Sequence, residues 1–228
     1  MRQPLSLLKR PPTLKMAPPG HHVVEKQARI SKNGIKYFVK AHIRKNRGKK
    51  IVLLPENILY LFWHGDQEYP RLGKVTGYPE HPELDAVIQF WLNYWKEAGL
   101  PFPKDLDPFM IKVLIAVESR FKLRADPKVK HSTAFGLMQV TGTTRDDLKG
   151  KRKKDHVLLR DFYLDLEKED LADAVVSIAA GIRWLSYKYT SIRNKQKNSF
   201  NMFRNYNSWT EGEPYAKKIM ALYLSSLK

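Results

Sequence analysis

Two segments of this chain have almost no polar face, and they limit its fold more than any other feature. From Met110 to Val117, Met110, Ile111, Val113, Leu114, Ile115, Ala116 and Val117 are interrupted only by Lys112. Asp107-Pro108 just ahead is a helix-start signal, an N-cap side chain followed by a residue whose missing N–H costs nothing at that position. From Leu171 to Tyr189, Ala174, Val175, Val176, Ile178, Ala179, Ile182, Trp184 and Leu185 leave little room for polar groups. A helix that is apolar nearly all round must be buried on all sides. The spacing therefore predicts a mainly α domain with a buried pair of helices at its centre. Leu84, Val87, Ile88, Trp91, Leu92 and Trp95 add an amphipathic helix ended by Gly99-Leu100-Pro101, and a last helix is expected over Pro214 to Leu227.

The first third reads differently. Residues 1–22 contain five prolines and are expected to form an extended, Pro-rich arm. Residues 23–80 form a small basic module with β-rich runs at Ile35–Val39, Ile51–Leu54 and Ile58–Trp63. The polar, basic stretch Arg44 to Lys50 is expected to be the turn of a hairpin between the first two runs. Gly65 to Pro82, with three glycines and three prolines, places the domain boundary near residue 80, so that residues 81–228 form the second domain.

The chain of 228 residues has 41 Lys and Arg against 23 Asp and Glu, a formal net charge of +18. Such an excess implies an anionic partner through long-range attraction. No Cys is present, which removes disulfides, thiolate zinc sites and a cysteine nucleophile. The seven histidines show no metal-ligand spacing. No stretch reaches the roughly 18 apolar residues of a membrane-spanning helix. The apolar run Leu5-Ser6-Leu7-Leu8 is broken by Lys9-Arg10-Pro11-Pro12, so no Sec-type signal peptide is expected.

Glu118 is the chemical candidate. It follows three turns of buried helix, with Ile111, Leu114 and Ile115 on its own face. A carboxyl group there is partly desolvated, which disfavours its charged form and suits a general acid. The alternative is a carboxylate at an exposed helix end, paired with Arg120 or Arg124. Downstream, Ser132-Thr133-Ala134-Phe135-Gly136-Leu137-Met138-Gln139-Val140 places small residues and a glycine around an apolar pair and a glutamine. Small residues allow a backbone to approach a ligand closely.

These residues resemble the soluble lytic transglycosylase family of the lysozyme superfamily. The likeness rests on Glu118-Ser119-Arg120-Phe121, on Gly136-Leu137-Met138-Gln139, on Ser177-Ile178-Ala179-Ala180-Gly181-Ile182-Arg183-Trp184-Leu185, and on Asn205-Tyr206-Asn207 followed by Tyr215. It covers about residues 82–228. Ser177 stands where the family usually has Asn, Asn205 where it has Ala, and Thr141-Gly142 replaces a residue-Pro pair.

The resemblance implies a mainly α, lysozyme-like catalytic domain acting on peptidoglycan glycan strands, with no metal or organic cofactor. Glu118 would be its catalytic acid and base, cutting the bond between N-acetylmuramic acid and N-acetylglucosamine to give a 1,6-anhydro product. Ser132, Met138, Gln139, Tyr206, Asn207 and Tyr215 would contact substrate, with core packing as the alternative for Met138 and Tyr206. A hydrolytic muramidase would need a second carboxylate, for which Asp126, Asp146 and Asp147 are nearby in sequence. The third reading is a catalytically silent protein that binds the wall or nucleic acid.

The basic first third, with Tyr37, Phe38 and Trp63, suits anionic cell wall better than nucleic acid. Peptidoglycan lies outside the inner membrane, so the expectation is synthesis in the cytoplasm and non-Sec delivery. The carrier would be a phage lysis or tail apparatus, or a secretion system exporting an effector with an inhibitor or immunity partner.

Overall fold

The computed structural model describes residues 7–47, 52–65, 68–125, 132–151, 162–207 and 212–228. Seven α-helices carry these residues: α1 (Pro55–His64), α2 (Glu83–Glu97), α3 (Pro108–Ser119), α4 (Gly142–Leu148), α5 (Ala174–Thr190), α6 (Ser199–Asn207) and α7 (Gly212–Ser226). Six short strands join them: β1 (His21–Val24), β2 (Gln27–Ile30), β3 (Lys36–Val39), β4 (His42–Lys45), β5 (Val52–Leu53) and β6 (Tyr163–Leu164).

The two all-apolar segments are α3 and α5, and both are buried along most of their length. α2 packs against each of them. The fully buried Trp95 of α2 donates its indole N–H to the Ala179 carbonyl of α5 at 3.1 Å, which fixes α2 on that helix. On its other flank α5 meets α6 and α1, while α3 meets α7 and α6 packs on α7. The helix starts follow their caps. Asp107 accepts from Phe109 N at 2.8 Å, and Asp173 accepts from Val175 N at 2.8 Å.

Lys112, the one polar break in the Met110–Val117 run of α3, is itself buried. Its ammonium donates to Asp85 Oδ1 of α2 and to the Gly73 carbonyl, both at 2.6 Å. Asp85 Oδ2 accepts from Leu72 N at 3.1 Å, so the pair ties the loop before α2 to the core.

The first third departs from expectation in three ways. Ile58 to Trp63 is helix rather than strand. Pro55 occupies the first helical position and the Asn57 side chain accepts from Leu54 N at 2.9 Å, so start signals outweigh the β propensity of the apolar run. The hairpin also turns elsewhere. β3 pairs with β2 across Ser31–Ile35, where Gly34 has φ 77° and donates to Ser31 O, a turn that Asn33-Gly34 favours. β4 then pairs with β1, and β5 runs parallel to β6 instead of joining the hairpin. Of the basic stretch Arg44 to Lys50, residues 48–50 lie outside the described residues, as does Ile51.

Third, the hydrophobic core continues across residue 80. Leu53, Ile58, Leu59, Phe62 and Val75 belong to the same hydrophobic cluster as α2, α3 and α5. The Pro-rich arm is also held down. Met16 and Ala17 are buried, and Asn57 Nδ2 donates to the carbonyls of Ala17, Pro18 and His21 at 2.8, 3.0 and 2.9 Å.

Candidate active site

Glu118 is the penultimate residue of α3 and is half-buried, not splayed at an exposed helix end. Tyr215 of α7 donates its hydroxyl to Glu118 Oε1. α3 and α7 are antiparallel here and are tied at both ends, because Tyr223 OH donates to Asp107 Oδ2 at 2.8 Å, beside the cap of α3. The two hydrogen bonds bracket the helix that carries the carboxylate.

The backbone after Glu118 is bent sharply. Arg120 and Phe121 both adopt left-handed φ, 53° and 61°, and Phe121 is held there by burial against the rings of His81 and Tyr78. Gln139 is a further non-glycine residue at positive φ, 48°. Such strained positions persist where surrounding packing fixes them, and they cluster at functional sites.

Gln139 belongs to the turn Phe135–Val140, closed by the Phe135–Val140 bridge. Gly136 has no alternative there: a Cβ would lie 2.4 Å from Leu171 O and 2.5 Å from Ser177 Oγ. Ser177, in the place of the expected Asn, accepts from Met138 N at 3.4 Å. Met138 is fully buried, and its side chain seats on Gly181 of α5, where a Cβ would lie 2.3 Å from the sulfur. What Met138 offers the site is its carbonyl, which accepts from Tyr206 OH at 2.6 Å. Gln139 Nε2 donates to the Gly136 and Ala125 carbonyls at 3.0 and 3.2 Å, so this amide N–H pair shapes the turn.

Tyr206 and Tyr215 approach Glu118 from α6 and α7. Burial pushes both phenols well above the usual tyrosine value, and the charge of Glu118 pushes them further. Both therefore remain protonated donors at neutral pH. Tyr223 is pushed up to about 12, first by desolvation and then by its bond to Asp107. The sign of the resulting pH effect is fixed. The unfolded chain releases these protons near pH 10 while the fold retains them, so their contribution is intact below pH 10 and is lost as pH rises through about 12 for Tyr223. Urea denaturation between pH 8 and 11, run on wild type and Tyr223→Phe, is expected to show a shallower alkaline loss in the variant. Equal slopes would contradict the assignment.

Tyr206 also lines a cleft of about 470 Å³ with Thr141, Thr143, Asp147, Trp184, Lys188 and Asn207. The Trp184 and Tyr187 rings stack at 4.8 Å, and Lys188 Nζ sits 4.9 Å from the Trp184 centroid. Burial lowers the Lys188 pKa, an effect that the charge of Asp147 opposes. An aromatic wall with a few hydroxyl, amide and charged groups suits a sugar chain.

The structure thus brings together Glu118, Tyr215, Tyr206 and the Met138 carbonyl. Asn207 is exposed at the cleft, and Ser132 is half-buried, accepting from Ala134 N at 3.2 Å. Of the three second-carboxylate candidates, Asp126 lies outside the described residues, Asp146 is exposed, and Asp147 is buried and lines the cleft. Sequence reasoning missed the Trp184, Tyr187 and Lys188 wall. The helical spacing marks Trp184 as core, and only Lys188 four residues on hints at a face open to solvent.

Among the described residues, no helix is long and apolar enough to cross a membrane, and no group of three or more His, Asp or Glu could hold a metal ion. No match to the chain was found among curated proteins or among solved structures. The family model described as the transglycosylase SLT domain matches residues 94–213, from within α2 to the start of α7. This span exceeds half of the chain and contains Glu118, the Gly136–Gln139 turn, α5 and Tyr206; the protein belongs to the SLT transglycosylase family, lysozyme-like and mainly α, whose members are peptidoglycan lytic transglycosylases.

Proposed function

We propose that Glu118 alone performs both proton transfers of a lytic cleavage at the β-1,4 bond between N-acetylmuramic acid and N-acetylglucosamine. The observation that carries this reading is the Tyr215 hydroxyl on Glu118 Oε1, which aims one carboxyl group from the end of a buried helix. Glu118 gives its proton to the glycosidic oxygen as the C1–O bond breaks, releasing the N-acetylglucosamine 4-hydroxyl. The muramic acid 6-hydroxyl then bonds to C1 and returns its proton to Glu118. The acid is regenerated, the sugar leaves as a 1,6-anhydro ring, and no water is consumed.

Each other residue has a part consistent with its surroundings. Tyr215 orients the carboxyl group. Tyr206 offers a ring edge to a sugar and transmits the position of the Met138 carbonyl, while Gln139 and Met138 hold the turn. Ser132 and Asn207 supply hydroxyl and amide groups for N-acetyl and hydroxyl recognition. The delivery context we propose is a phage lysis or tail apparatus, or a secretion system with an immunity partner.

Counting reducing ends tests the single-carboxylate chemistry. Purified peptidoglycan digested by wild type and by Asp147→Asn is expected to become soluble without a matching rise in reducing sugar, because a 1,6-anhydro end has no free hemiacetal. One new reducing end per bond cut, abolished in Asp147→Asn, would instead establish a water-using muramidase with Asp147 as the second carboxylate.

A further inference from the structure

The hairpin of residues 21–45 lies entirely outside the family match and has a surface the glycan chemistry does not use. β1 with β4 and β2 with β3 are successive stretches of one two-stranded ribbon, interrupted at residues 25–26 opposite residues 40–41. Its base is rooted on α1. Glu56 Oε1 accepts from Val23 N at 3.1 Å, Asn57 Nδ2 donates to His21 O, and the His22 ring bonds Asn46 Oδ1 at 2.7 Å.

The far end has the opposite character. Every residue of β2 is exposed, and so are three of the four in β3. Ile30, Ile35 and Phe38 are 66%, 65% and 73% exposed, three apolar side chains left in water at the free end of the ribbon. The register places Ile30 opposite Lys36 and Ala28 opposite Phe38, so Ile30 and Phe38 share one face with a lysine between them. Residues 21–45 contain seven Lys and Arg, all exposed, against one Glu.

Charge alone would fit any polyanion, but the aliphatic side chains narrow the choice. A nucleic acid offers stacking to Tyr37 or Phe38 and nothing to Ile30 and Ile35. An acidic glycan or wall polymer offers charge without an apolar phase. An anionic bilayer offers both, a plane of negative headgroups over an apolar layer, and it matches an apolar tip with a collar of cations.

We propose that the 21–45 hairpin docks the protein on an anionic membrane surface, with Ile30, Ile35 and Phe38 entering the headgroup layer and Lys26, Arg29, Lys32, Lys36 and Lys40 engaging lipid phosphates. The inference does not depend on the transglycosylase chemistry, since none of these residues belongs to the site around Glu118.

The test uses the full chain with vesicles of phosphatidylglycerol and phosphatidylcholine, against phosphatidylcholine alone, in co-sedimentation at physiological salt. The expected result is retention on the anionic vesicles only, reduced roughly ten-fold or more in an Ile30→Ser, Ile35→Ser, Phe38→Ser variant. These side chains are exposed, so the variant keeps its fold, which circular dichroism and peptidoglycan turnover would verify independently. A Phe38→Trp variant is expected to shift its fluorescence to the blue on anionic vesicles. Absence of vesicle binding would overturn the proposal. So would binding that salt abolishes and the triple variant leaves unchanged, or a tip-dependent retention on oligonucleotide or purified peptidoglycan in place of vesicles.

Discussion

Replacing Lys112 by alanine is expected to destabilise the fold by about 3–5 kcal/mol, the usual cost of leaving a buried charge without its partner. Asp85 is 2% exposed, and the loss of the ammonium leaves its Oδ1 and the Gly73 carbonyl with no replacement donor. The double variant Lys112→Met with Asp85→Leu removes both charges and should recover part of the loss. It retains a cost of about 1–3 kcal/mol, because Leu72 N–H and the Gly73 carbonyl then lack their side-chain partners. Urea denaturation of the three proteins checks this. A single variant within about 1 kcal/mol of wild type would show that water reaches the pair.

That pair also shows where sequence reading stops. The helix pattern marks Lys112 as the only polar break in the Met110–Val117 run, but nothing local identifies its partners, 27 and 39 residues away. The proposed site is more legible. Glu118 and the Gly136–Gln139 turn are short-range motifs, and Gly136 and Gly181 have glycine-only surroundings that a bare sequence cannot display but a motif can. Tyr206 and Tyr215 were placed at the site by the resemblance alone. Their hydrogen bonds arise from the packing of α6 and α7 on α5 and α3, which no periodicity encodes.

The first third is the least legible in the sequence, for a physical reason. A run such as Ile58 to Trp63 satisfies strand and helix alike, and the deciding groups are Pro55 and Asn57 at the helix start. The turn of the hairpin is set by Asn33-Gly34, the residues with turn chemistry, and not by the charge density of Arg44 to Lys50. Once Ile58, Leu59 and Phe62 are helical, they present one apolar face to the core. Residues on either side of the glycine- and proline-rich stretch 65–82, from Leu53 to Phe62 and from Leu84 onward, then belong to one hydrophobic cluster.

The second large effect concerns chemistry. Glu118→Gln is expected to lower turnover of peptidoglycan by a factor on the order of 10²–10⁴, the range associated with loss of a positioned acid and base. The amide has the shape of the carboxyl group and its oxygen still accepts from Tyr215, so stability should stay within about 0.5 kcal/mol of wild type. Tyr215→Phe should act differently, slowing turnover less while leaving the proposed acid in place. Comparable activity for Glu118→Gln and wild type would remove Glu118 from the mechanism, however well it is placed.

Mass spectrometry of the soluble products from purified peptidoglycan, digested in parallel by wild type and Glu118→Gln, tests the central claim most directly. The expected result is 1,6-anhydro-muropeptides from wild type and none above background from the variant. Reducing-end muropeptides from wild type, or anhydro products persisting in Glu118→Gln, would contradict it.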